Sequence, residues 1–119
     1  METRSNYMGS SSLKINEKVI ATIAKMAACE VDGVSGITGD RGGIAGFFNK
    51  SRLTQYIKIN LNDNVGVIDI HIDVKYGAKV PTVAEGVQVK VKEAVQNMTG
   101  MAVSRVNVYV TGVVFSEQE

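Results

Sequence analysis

Apolar and polar residues alternate strictly in two neighbouring stretches of the chain, residues 56–62 and 67–75. In the second stretch, positions 68, 70, 72 and 74 are aliphatic and the positions between them are polar or charged. Such alternation is typical of β-strands with one buried and one wet face, and it favours an antiparallel sheet covered on one side. Asp63 and Asn64 lie between the two stretches and tolerate positive φ, which predicts a two-residue hairpin turn.

The stretch between positions 16 and 33 has a helical period instead. Asn16 is a favourable N-cap residue, and Gly33 stands where a helix commonly ends. The spacing between them predicts an amphipathic helix, whose apolar face carries Ile20, Ile23, Ala24, Ala27 and Val31.

Residues 80–98 fit two patterns. The valines at the centre of this stretch alternate as in a strand, and their β-branched side chains favour that structure. A strand of this length would be exceptional, whereas Pro81 and Gly100 suit the two ends of a helix. We therefore predict a helix with Val89 off its apolar face, which carries Val83, Val87, Val91, Val95 and Met98.

Three shorter apolar stretches, residues 13–15, 34–38 and 105–111, complete the pattern as further strands. The resulting order is strand, helix, three strands, helix and strand, which is typical of an α+β fold. We predict a two-layer sandwich in which two helices pack on one face of a small, mainly antiparallel sheet.

The length of 119 residues predicts one domain, over residues 13–115, between a flexible tail at 1–12 and a short acidic tail at 116–119. The net charge is +1, so no overall field attracts nucleic acid or an anionic membrane. The single cysteine, Cys29, excludes an internal disulfide and is interpreted as a small buried hydrophobe. No secretory signal or membrane-spanning run is recognisable, which favours the cytoplasm.

One predicted strand carries a candidate for chemistry on its wet face, the residues Asp69, His71 and Asp73. A histidine between two carboxylates resembles a metal-ligand set or a polarised catalytic imidazole. Neighbours on one strand face, however, lie about 6–7 Å apart and point in parallel, so they converge poorly on one ion. We interpret them as a solvated charge ladder with Lys58 and Lys75 and predict no metal, no cofactor and no catalytic residue. An enzyme remains an alternative.

Residues 39–53 are rich in glycine and form the least regular stretch. A phosphate-binding P-loop is excluded because positions 44 and 49 are not glycine. Gly43 and Gly46 match the GxxG clamp of RNA-binding KH domains, but two glycines are a weak signal and that clamp joins two helices. An RRM-type platform finds only Tyr56 and Tyr109, scattered over the wet face, for base stacking.

Two of the three phenylalanines, Phe47 and Phe48, lie in this same basic stretch. Their rings could fold back onto the core. Alternatively, they form a hydrophobic anchor with a basic rim, suited to a partner protein or a membrane surface. Under the second alternative, the candidate docking site comprises Arg41, Phe47, Phe48, Lys50 and Arg52.

Particular strings occur in a characteristic order between Leu13 and Phe115, namely INEKVI (15–20), AACEVDGV (27–34), VKYG (74–77), 80–95 with its VQVKVK centre, and VNVYVTGV (106–113). Together they resemble the alkaline shock protein family, the envelope stress response proteins of Gram-positive bacteria. The resemblance implies a non-enzymatic cytoplasmic protein of cell-envelope homeostasis. It also implies that some relatives form abundant assemblies held at the membrane by a separate anchor protein, and that others are associated with fatty-acid metabolism. It supplies no catalytic residue.

We therefore expect an interaction or scaffold module that self-associates, as a homo-oligomer, and docks to a protein partner, which could be membrane-anchored. The exposed edge strands of a small open sheet offer one route to assembly, and the stretch containing Phe47 and Phe48 offers another. The competing hypothesis is a nucleic-acid-binding regulator that uses the glycine-rich basic loop.

Overall fold

The computed structural model describes residues 15–38, 56–63 and 65–115. Two helices and four strands occupy these residues. In chain order they are α1 (Glu17–Cys29), β1 (Val34–Ile37), β2 (Ile57–Asn62), β3 (Val65–Lys75), α2 (Val80–Thr99) and β4 (Ala102–Val114).

Strand β3 is the centre of the sheet. β1 and β2 pair antiparallel with successive parts of one of its edges, and β4 pairs parallel along the other edge. The α+β fold with a mainly antiparallel sheet is thus confirmed, and the last strand runs parallel. A parallel pair requires a long crossover connection, which α2 provides between β3 and β4.

Both helices pack on the face of the sheet that carries Ile68, Ile70 and Ile72, all of which are fully buried. α1 presents alanines together with Ile20 and Ile23 to this core. The small alanine side chains let the helix approach the sheet closely, and α2 adds the predicted stripe of Val83, Val87, Val91 and Val95. Burial of these aliphatic side chains is the main favourable contribution to folding.

The N-terminus of α1 is capped as predicted, since the Asn16 side chain accepts a hydrogen bond from the Lys18 N–H over 2.7 Å. Its C-terminus is not where the sequence indicated, because the helix ends at Cys29. Gly33 lies beyond it, in the turn into β1, with φ of 96°. A Cβ there would stand 2.5 Å from Val83 Cγ2, so the turn needs glycine for both its backbone and its packing.

Helix α2 follows the prediction at both ends, with Pro81 in its first turn and Gly100 at the C-cap with φ of 74°. The predicted stripe was wrong at Met98, which is 71% exposed. The structure also differs at the chain start, where Ile15 lies outside any strand. The remaining residues of that predicted strand, and the two predicted tails, lie outside the described residues.

Candidate interaction surface

The predicted docking residues Arg41, Phe47, Phe48, Lys50 and Arg52 lie outside the described residues, in the segment between β1 and β2. The candidate docking site therefore stays a prediction. Among the surfaces that the structure describes are the open face of the sheet, the outer edge of β4 and the outer side of the helix pair.

On the open face, the three polar residues of β3 have separate partners. Asp69 accepts a hydrogen bond from Asn107 Nδ2 over 2.8 Å, and the His71 Nδ1 atom lies 3.2 Å from the Tyr56 carbonyl oxygen. Asp73 accepts a hydrogen bond from the Thr38 hydroxyl, and the Thr38 hydroxyl is also hydrogen-bonded to the Thr111 hydroxyl. Each side chain is oriented by a neighbouring strand, so the three do not converge on one point.

The prediction of a solvated charge ladder was wrong at Asp73, because this side chain is only 3% exposed. Gly36 and Gly112 are its cross-strand neighbours, one on each side. A Cβ at Gly112 would stand 2.5 Å from Asp73 Oδ1, so the carboxylate fills space that a side chain would otherwise occupy. Within the described ranges, no three His, Cys, Asp or Glu residues are grouped as ligands for a metal ion.

Three rings cross the open face in one row, although the sequence suggested that its two tyrosines were scattered. The His71 ring stacks on Tyr109 with centroids 4.7 Å apart and planes at 17°, and it meets Tyr56 edge-on at 6.0 Å. The register of β3 against β4 places His71 directly opposite Tyr109. Tyr109 is 46% exposed and ends the row on the outermost strand.

The backbone of β4 alternates between two directions. In a parallel ladder, every second residue turns its N–H and C=O groups toward the neighbouring strand, and the others turn away. Tyr76 N–H donates to the Val114 carbonyl, which places Val114 on the side of β3. On the opposite side, Gln96 Oε1 accepts from the Val103 N–H and Gln88 Nε2 donates to the Val106 carbonyl. Helix α2 thus satisfies one backbone group of Val103 and one of Val106 on the first half of the outer edge.

The second half of the outer edge of β4 differs from the first half. The alternation set by Val106, together with the register shift between Ile72 and Asp73, turns the backbone groups of Val108, Val110 and Val113 outward. Within the described part of the chain, no strand and no side chain pairs with them on that side. We call residues 108–113 the open edge.

The sequence around the open edge is uncharged. From Val106 to Phe115 the chain contains no Lys, Arg, Asp, Glu or Pro, which are the residues that commonly protect a sheet edge from pairing. Exposed apolar side chains accompany it: Val113 is 51% exposed, and Phe115 stacks on Tyr76 with centroids 4.7 Å apart. This ten-residue run without charge or proline is the sequence signal that marks the open edge.

A shallow groove of about 270 Å³ separates the outer sides of α1 and α2. Met26 and Met98 lie on its walls and are 63% and 71% exposed. Glu30, Lys90 and Glu93 add charges of both signs.

The prediction that Cys29 is buried was wrong, because this residue is exposed.

Neither helix in the part of the chain described here is apolar enough over a sufficient length to cross a bilayer.

The fold and this surface define a small α+β domain of two layers with an open sheet edge at β4. The chain belongs to the alkaline shock protein 23 family, whose model matches residues 5–115 and is described as having a cell envelope-related function. This confirms the resemblance found in the sequence.

Named relatives agree with this family. The uncharacterized protein YqhY of Bacillus subtilis is 31% identical over 116 residues, which are 97% of this chain and 84% of YqhY. The stress response regulator gls24 homolog of Streptococcus pyogenes is 33% identical over 110 residues, and the match covers 89% of this chain and 60% of that protein. The chain therefore belongs to a family with a cell envelope-related function, and one of the proteins it is similar to carries the name of a stress response regulator.

A solved structure shares the fold. A variant of the MamM CTD matches with a TM-score of 0.52 over 82% of this chain and 98% of that domain. The two sequences are 15% identical, so this similarity concerns the fold alone.

Proposed function

We propose that this protein is a non-enzymatic interaction or scaffold module of envelope stress response and homeostasis. It acts in the cytoplasm by self-association and by docking to a membrane-linked protein partner, through which it becomes peripheral to the membrane. The family description supports the envelope setting, and the name of the stress response regulator among the relatives supports the stress-response role.

The open edge is the observation that carries the interaction role. Its outward backbone groups, at Val108, Val110 and Val113, can accept another strand, and the uncharged sequence offers no repulsion against one. The polar residues of the open face support the absence of an enzyme, because Asp69 and Asp73 are oriented toward Asn107 and Thr38 rather than toward a common point.

The test for partner docking is a crosslinked pull-down from cells that naturally express the protein, followed by mass spectrometry of the membrane fraction. We expect the wild type to recover a membrane-linked protein and the double variant Phe47→Ala, Phe48→Ala to lose it. The variant Val19→Ala, Leu61→Ala is the control, because it also shortens two exposed apolar side chains, and these lie on α1 and β2, away from the open edge. Equal recovery by the wild type and the Phe47, Phe48 variant would remove the proposed docking role of that segment.

A nucleic-acid-binding regulator is the competing hypothesis, and the row of Tyr56, His71 and Tyr109 is the observation in its favour, since proteins bind bases by aromatic stacking. Lys58 and Arg105 are exposed on the same face. The dependence of binding on salt concentration distinguishes the two hypotheses. Binding through phosphates weakens steeply between low and moderate salt, whereas association through an apolar strand edge does not.

A further inference from the structure

We propose that the open edge is a homodimer interface, in which β4 of one copy pairs antiparallel with β4 of a second copy about a two-fold axis at Tyr109. This inference rests on the self-association in the proposed function and names the surface and register that perform it. The paired strands would extend the two sheets into one continuous sheet of eight strands.

The backbone selects this register. Val108 and Val110 turn their N–H and C=O groups outward, while Tyr109, between them, turns its own toward β3. With the axis at Tyr109, Val108 of each copy lies opposite Val110 of the other, and the two pairs exchange four hydrogen bonds. An axis at Val108 would place Val110 opposite Val106, whose carbonyl already accepts from Gln88.

The side chains fit the same register. Tyr109 would face its own counterpart at a non-hydrogen-bonded position, where Cα atoms are about 4.5 Å apart and side chains are closest. Its ring already stacks on His71, so the pairing would join the two aromatic rows into one and cover a ring that is 46% exposed.

The sequence favours a second copy over an unrelated strand. A two-fold axis pairs the segment with itself, so a charge at the axis would face its own like charge and charges beside it would be close to their copies. The run from Val106 to Phe115 has no charge at all, and this makes it compatible with itself. The bulge near Thr111 reverses the backbone alternation and limits the regular pairing to the few residues around Tyr109.

Charge at Tyr109 tests the interface. We expect the wild type to have the mass of two chains in solution by light scattering, and Tyr109→Lys and Tyr109→Glu to have the mass of one, because like charges then face each other. An equimolar mixture of the two variants should recover the mass of two chains, which a merely structural role of Tyr109 would not produce. The control Val19→Lys changes a residue that is 49% exposed on α1 and should leave the dimer intact.

Crosslinking tests the register independently. In a Cys29→Ser background, Tyr109→Cys should form a disulfide-linked dimer on mild oxidation, since the expected Cα separation suits a disulfide. Arg105→Cys is the control on the same strand and face. Its two copies would lie roughly 27 Å apart by strand rise and should not link.

Hydrogen exchange adds a measurement on the unmodified chain. The amides of Val108 and Val110 should be protected in the wild type and exchange quickly in Tyr109→Lys, while the Asn107 amide, which faces β3, stays protected in both. Folding of each variant is checked by circular dichroism.

The possible results bear separately on the interface, on the dimer and on partner docking. Dimers that persist in Tyr109→Lys, or crosslinking of Arg105→Cys as efficient as that of Tyr109→Cys, would overturn this interface and leave self-association standing. A monomeric wild type would overturn the dimer and the self-association in the proposed function. In that case the pull-down still decides partner docking, so the two proposals fail separately.

Discussion

The two faces of β3 exclude water in different ways. On the covered face, Ile68, Ile70 and Ile72 are fully buried under the helices, and their contribution is apolar surface removed from water. On the open face, the alternate residues Asp69 and His71 are half-buried between neighbouring strands, where hydrogen bonds and ring contacts orient them. The first face tolerates no polar group, whereas the second depends on specific partners, so substitutions on the two faces should differ in size and in cause.

The covered face should show the largest effect. Ile70→Ala removes buried methyl groups and leaves a cavity at the centre of the sheet, so the free energy of unfolding should fall by about 2–5 kcal/mol. Urea denaturation followed by circular dichroism measures this change. A loss similar to that of an exposed substitution would show that the helices do not pack over β3 as described.

Gly112→Ala should have a smaller but clear effect on the open face. The added Cβ would stand 2.5 Å from Asp73 Oδ1, and a buried carboxylate has little room to move. Overpacking of this kind typically costs about 1–3 kcal/mol. Gly36→Ala is the matched control on the other side of Asp73, since no described atom lies within 4 Å of its added Cβ. Equal unfolding midpoints for the two variants would contradict the asymmetry around Asp73.

His71→Ala should have the smallest effect of the three. It removes the stack with Tyr109 and the edge contact with Tyr56, so we expect a loss of about 0.5–1.5 kcal/mol. Lys58→Ala changes an exposed residue in the next row of the same face and should stay within about 0.5 kcal/mol of the wild type. Thermal unfolding at one fixed pH compares them, and a larger loss for Lys58→Ala would reverse their assigned roles.

Much of this fold was predictable because local pattern determines it. Alternation located β2 and β3, the four-residue step located α2, and Asn16 and Gly100 marked helix ends through their own conformational preferences. The parallel direction of β4 was not predictable in this way, because the residues of a strand have the same alternation whichever way its neighbour runs.

The arrangement of the candidate interaction surface depends more on how distant strands are aligned with one another, and the sequence could predict less of it. Asp73 is buried because Gly36 and Gly112 arrive beside it from two distant strands, and Tyr109 meets His71 for the same reason. No local pattern contains that information. The predicted docking residues around Phe47 and Phe48 lie outside the described part of the chain, so their role depends on the pull-down.

The parallel pairing of β3 with β4 also bears on how the protein is made. The central strand emerges from the ribosome before the whole of α2 and well before its last partner. One edge of β3 therefore stays unsatisfied until β4 has been translated, and long-range parallel pairing is slow to form. Chains that stop before Ala102 should be unable to complete the sheet. The pairing of β4 is therefore the step that commits a nascent chain to the native state.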